Sequence, residues 1–153
     1  MLPEAVEWPP IGETPMAIST VTEAIEAAVA MEESVRSIYL SFEEKFRETR
    51  GAPRFFAKLA ADEADHARLW AEIGSQLPAS RLAEKPSDPL LASIQAAQAL
   101  LAGDPTAGVD SFPDALDLTR RMENAELLAV FRVLAIELVP DGKRREFLYL
   151  QID

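Results

Sequence analysis

Two stretches of this chain, residues 20–62 and 111–153, match one another without a gap at a constant offset of 91. Under that shift Thr20-x-x-Glu23 meets Ser111-x-x-Asp114, Met31-Glu32 meets Met122-Glu123, and Gly51 meets Gly142. Arg54, Phe56, Leu59 and Asp62 likewise meet Arg145, Phe147, Leu150 and Asp153. A cap, an acidic residue inside an apolar stripe, a turn glycine and the start of a second helix recur in one register, as expected of a duplicated helical hairpin. Two such hairpins bury their apolar faces against each other, so the chain is expected to be all-α, an antiparallel four-helix bundle.

The order of elements follows from caps and periodicity. Residues 1–15 form a proline-rich, acidic leader without periodicity, in which Trp8 is the expected anchor; the bundle domain is 16–153. Thr20 and Glu23 read as a capping box that opens a long helix. Its inner face runs through Ile18, Val21, Ile25, Ala28, Glu32, Val35, Tyr39, Phe42 and Phe46, and it is expected to end near Arg50-Gly51. A second helix runs from about Pro53 to about Leu77 and completes hairpin 1, residues 20–77. Residues 78–110 read as a long crossover whose short apolar helix, 90–101, lies across the bundle. Hairpin 2, about 111–153, opens on a second capping box at Ser111 and Asp114. Its first helix extends to about Val139, and its second is still in progress at Asp153.

Charge appears where the helices should be greasy. On the second helix Phe56, Leu59, Glu63, His66, Trp70, Ile73 and Leu77 alternate in steps of three and four, which is the seam of a core-facing helix. A carboxylate and the chain's single histidine therefore fall on the inner face. Burying Glu63 without a partner would cost several kcal/mol, so a metal ion is one expected partner and His66 itself another. Glu32 occupies the same kind of position on the first helix, with Tyr39 two turns later on the same side. Glu33 falls off the stripe and reads as a solvated surface charge.

The offset of 91 carries this pattern into the second half. There the counterparts of Glu63 and His66 would be the first and fourth residues past Asp153, so the natural chain is expected to continue with a second Glu-x-x-His. Two hard divalent ions held between facing helices need bridging carboxylates to balance their charge and an imidazole each, a set that suits iron or manganese better than magnesium or calcium.

Composition narrows the classes. The net charge of −11 argues against nucleic acid or an anionic membrane surface as partner. No apolar run reaches the length of a membrane span, and a cytoplasmic location is the default expectation. The chain contains no cysteine, which excludes disulfides, thiol chemistry and cysteine-ligated clusters within it.

Glu32 with Tyr39 seven residues on, Glu63-x-x-His66, and Glu123-x-x-Glu126 together resemble the rubrerythrin branch of the ferritin-like diiron proteins, over about residues 20–153. The resemblance implies a ferritin-like four-helix bundle that binds two iron ions, with manganese or zinc as alternatives. It makes Glu32, Glu63, His66 and Glu123 ligands, and Glu126 an additional ligand that exchanges with His66 during the redox cycle. It also implies that Asp153 holds His66, that Asp62 holds the second histidine, and that Tyr39 hydrogen-bonds a carboxylate of the second hairpin.

Three departures stand out. No cysteine-ligated rubredoxin domain is present, so electrons are expected from a separate donor such as a rubredoxin. Phe131 stands where the family has a second tyrosine, and the ligands of the fourth helix are not among the 153 residues. The function implied is reduction of hydrogen peroxide, with Tyr39 and Glu126 assisting, in a homodimer whose interface no sequence feature fixes. Iron handling with oxygen as oxidant is the alternative. A metal-free helical scaffold, or a site completed by a swapped partner, would follow if the fourth helix lacks its ligands.

Overall fold

A computed structural model of the chain describes residues 17–123. They form α1 (Val21–Lys45), α2 (Ala52–Gln76), α3 (Ala79–Leu82), α4 (Asp88–Leu101) and α5 (Phe112–Arg121), with no strand among the described residues. The fold is all-α, as the periodicity predicts, and is that of a ferritin-like helical bundle. The leader 1–15, the end of hairpin 2 and its fourth helix lie outside the described residues, as do Glu126, Phe131 and Asp153.

The first helix starts as its sequence requires, with one change. Thr20 Oγ1 accepts the Glu23 amide at 3.2 Å, but the Glu23 carboxylate accepts from the Ser19 amide at 2.6 Å, one residue earlier than a closed capping box would place it. At Ser111 the box is closed: the hydroxyl accepts from Asp114 N at 3.2 Å and the carboxylate accepts from Ser111 N at 3.1 Å.

The end of α1 also differs from expectation. Regular helix stops at Lys45, five residues before Arg50, because the following amides tighten onto carbonyls three residues back (Arg47 on Glu44, Thr49 on Phe46, Ala52 on Thr49). Gly51, at φ +80°, reverses the chain directly into α2, a conformation that costs other residues about 1–2 kcal/mol.

α1 and α2 pack along their lengths as an antiparallel hairpin, joined by only six residues. The seam of α2 is centred one position away from the expected line. Phe56, Ala60, Glu63, Ala67 and Trp70 are buried, whereas Leu59, His66, Ile73 and Leu77 flank them half-buried. The two alanines allow the helices close approach, and the longer side chains cover the margin.

The crossover travels from one end of α1 to the other rather than simply across it. At its start Val21 N donates to Glu84 O at 2.9 Å, and the Thr22 hydroxyl to Leu82 O at 3.3 Å; at its finish Lys45 Nζ donates to Val109 O. In between, α4 buries Leu90, Ile94 and Ala97 on the bundle. The unexpected single turn of α3 follows Pro78, whose fixed φ suits a helix start and whose carbonyl accepts from both Arg81 N and Leu82 N.

Because the crossover ends beside the α1–α2 turn, α5 begins there and runs antiparallel to α1. An aromatic layer marks this end, with Phe56 as its hub: its ring lies 6.3 Å from Tyr39, 5.3 Å from Phe42, 6.2 Å from Phe46 and 6.0 Å from Phe112. Phe56→Ala would remove the shared partner of all four rings from a fully buried position. It is expected to cost about 3–5 kcal/mol in urea unfolding; a loss below 1 kcal/mol would contradict this packing.

Candidate metal centre

Above the aromatic layer the core turns polar. Glu32 on α1 and Glu63 on α2 are each only 4% exposed, and no lysine or arginine pairs with either among the described residues. Between them lies His66, whose Nδ1 is 3.7 Å from Glu32 Oε2 and 3.5 Å from Glu63 Oε2. Each of the three residues offers a ligand atom within 4.8 Å of the others.

Glu123 joins this group from the second half of the chain. It follows Met122, the buried end of α5, and its Oε1 accepts from the buried Tyr39 hydroxyl at 2.5 Å. Matching positions in the two halves account for where it sits. Ala24 and Ala115 are both fully buried, Met31 and Met122 are both core residues, and the next residue in each case is the seam glutamate. Equal spacing from equivalent caps delivers Glu32 and Glu123 to the same level of the bundle.

One residue of the centre escaped the sequence reading. The fully buried Trp70 directs its indole Nε1 at Glu32 Oε1, 3.4 Å away. The sequence marks Trp70 as core through its seam position. The usable signal was chemical: a buried indole N–H needs an acceptor, and Glu32 is the acidic residue of the facing stripe. Asp62, expected beside a histidine of the other hairpin, pairs with Lys58 at 2.8 Å on the half-exposed flank of α2. Glu33 pairs with Arg36 at 3.4 Å, off the site.

The electrostatics are those of a cluster with too much negative charge for its surroundings. Burial pushes the Glu63 carboxyl well above its usual range; His66 draws it back and Glu32 adds to the rise. Burial alone would lower His66, but the Glu32 and Glu63 carboxylates outweigh it and hold the imidazole up to about 10. Burial also raises Glu123, against the pull of the Tyr39 hydrogen bond and with the help of Glu63. The Tyr39 phenol is raised far above the tyrosine range by burial and by Glu123, so it acts as a donor that stays protonated.

Protons thus balance the charge in the metal-free protein. Buried carboxylates and one imidazole, converging from three helical segments, fit a hard divalent ion that would replace those protons. Glu32, Glu63 and His66 are the residues that would hold it, with Glu123 beside them.

Two outcomes follow. A raised histidine pKa stabilises the fold fully below its unfolded value of 6.5, and the contribution disappears as pH rises towards 10; Glu63 acts with the same sign. The metal-free protein, melted in chelator, is therefore expected to lose thermal stability from pH 6.5 to 10 more steeply than its His66→Gln variant. Equal slopes would contradict the assignment. Trp70→Phe removes one N–H and is expected to weaken metal binding about tenfold in a competition titration; unchanged affinity would leave the indole without a role at Glu32.

The rubrerythrin family model matches residues 23–101, a span that includes Glu32, Tyr39, Glu63, His66 and Trp70. No curated protein and no solved structure matches the chain. Just over half of the 153 residues fall within that match, and the all-helical fold agrees with it. The chain belongs to the rubrerythrin family.

Proposed function

We propose that this protein is a non-haem diiron oxidoreductase that reduces hydrogen peroxide to water. The observation that carries the reading is the convergence of buried Glu32 and Glu63 on His66, with Glu123 held alongside by Tyr39. When bound, a pair of iron ions would supply the two electrons that split the O–O bond, and a separate carrier would restore them. Manganese and zinc are the other candidate ions, of which zinc has no redox chemistry.

The chain's own residues supply binding and proton control. Glu32, Glu63 and His66 form the donor set on two rigid helices whose facing seams fix their spacing. Burial raises the Glu123 carboxyl, and it stands beside the donor set, so Glu123 is suited to pass a proton to oxygen leaving as water. Tyr39 keeps Glu123 oriented through its hydrogen bond, and Trp70 does the same for Glu32. The aromatic layer beneath closes that end of the site to water.

Glu126 as an exchanging ligand, and Asp153 as the partner of His66, belong to the same proposal through the family resemblance, as do the homodimer and the cytoplasmic setting. Among the described residues no helix is long and apolar enough to cross a membrane.

The test is stopped-flow oxidation of the full-length protein, loaded anaerobically with iron(II), by peroxide or by oxygen. Peroxide is expected to react at least tenfold faster, and His66→Ala and Glu63→Ala are each expected to lose about 10²-fold or more of that rate. Faster reaction with oxygen would favour iron handling, and no reaction with either would favour a scaffold.

A further inference from the structure

If the site turns over peroxide, electrons must reach it from outside, and the structure marks one face for their entry. This inference rests on the peroxidase reading. The chain carries 26 acidic and 15 basic residues, yet five of the basic ones, Lys45, Arg47, Arg50, Arg54 and Lys58, lie within 14 consecutive positions that include a single acid, Glu48. These positions form the α1–α2 turn and its flanks.

Several of the charges are already engaged. Lys45 donates to the Val109 carbonyl, Arg47 pairs with Glu44 at 2.7 Å and Glu48 at 3.6 Å, and Lys58 pairs with Asp62. Arg50 and Arg54 are exposed and make no ion pair among the described residues. They line an open cleft with Arg47, Thr49 and Pro53. Next to Arg54 is Phe55, 40% exposed and one of two large apolar side chains so exposed among the described residues.

The same aromatic side chain connects inward. The Phe55 ring lies 5.1 Å from Phe56, Phe56 lies 6.3 Å from Tyr39, and the Tyr39 hydroxyl donates to Glu123 at 2.5 Å. An unbroken series of π-systems therefore leads from a basic patch on the surface to a carboxylate of the metal centre. We propose that the α1–α2 turn is the docking surface for a small acidic one-electron carrier protein, with Phe55 as the point of electron entry.

Charge complementarity selects the occupant. The rest of an acidic molecule repels such a carrier, so the arginine tip both steers the encounter and fixes its orientation. Each docking event would take one electron from the carrier, so two events would supply the two electrons that, with two protons, convert one peroxide to two waters.

Binding is measured first on the metal-free full-length protein, with an acidic rubredoxin as probe. Amide shifts in an NMR titration are expected to concentrate at Arg47–Phe55, and Arg50→Glu with Arg54→Glu is expected to weaken the dissociation constant at least tenfold at low salt. The neutral pair Arg50→Gln with Arg54→Gln should give a smaller loss. Arg68→Glu, an exposed charge on the outer flank of α2, should give none.

Shifts elsewhere, no binding, or equal affinity after charge reversal would overturn the docking surface. With iron loaded, Phe55→Leu is expected to slow reduction by saturating carrier at least threefold while binding stays within twofold; an unchanged rate would overturn the entry point. Binding is read without metal, so failed peroxide turnover and failed docking are separate results.

Discussion

The structure depends on how it accommodates negative charge inside a helical core. Glu32 and Glu63 occupy positions where the heptad pattern calls for apolar residues, and both are buried. Burial withdraws them from bulk solvent, and one imidazole cannot neutralise two carboxylates with a third, Glu123, close by. Such a cluster persists only if protons or cations compensate it. The raised carboxyls and raised imidazole are the proton solution, and a divalent ion is the other. Those two states compete for the same atoms, so the fold is stabilised by acid when empty and by metal when filled.

The remaining architecture serves to bring those atoms together. A six-residue turn keeps α1 and α2 in register, which sets Glu32 opposite Glu63 and His66. A crossover that runs from one end of α1 to the other then restarts the chain at the same end as α2. From there equal spacing out of equivalent caps brings Glu123 to the level of Glu32. The aromatic layer around Phe56 seals that end of the bundle and ties both halves to it through Phe112. Tyr39 stands at the junction, stacked on Phe56 below and donating to Glu123 above.

Much of this was legible in the residues because it follows from period and spacing. Glu32, Glu63 and Tyr39 lie where the helical stripe places them, and the offset of 91 places Glu123. What escaped depended on three-dimensional contact. Trp70 reads as core by pattern, and only the facing helix supplies the acceptor for its N–H. His66 sits at the seam's margin because Ala60 and Ala67, rather than Leu59 and His66, take the buried positions on either side of Glu63. The early end of α1 reflects tightening of successive turns ahead of Gly51, which no single residue between Phe46 and Arg50 signals. The Glu23 carboxylate reached Ser19 N because the backbone entering α1 presents that amide instead.

Whether the buried carboxylate cluster binds metal is tested most directly by anomalous diffraction at the iron edge, from crystals of the full-length protein grown with iron(II) under anaerobic conditions. An anomalous peak is expected within bonding distance of Glu32, Glu63 and His66, with Glu123 beside it. Iron scattered over surface acids, with Glu32 and Glu63 still gathered around His66 alone, would contradict it.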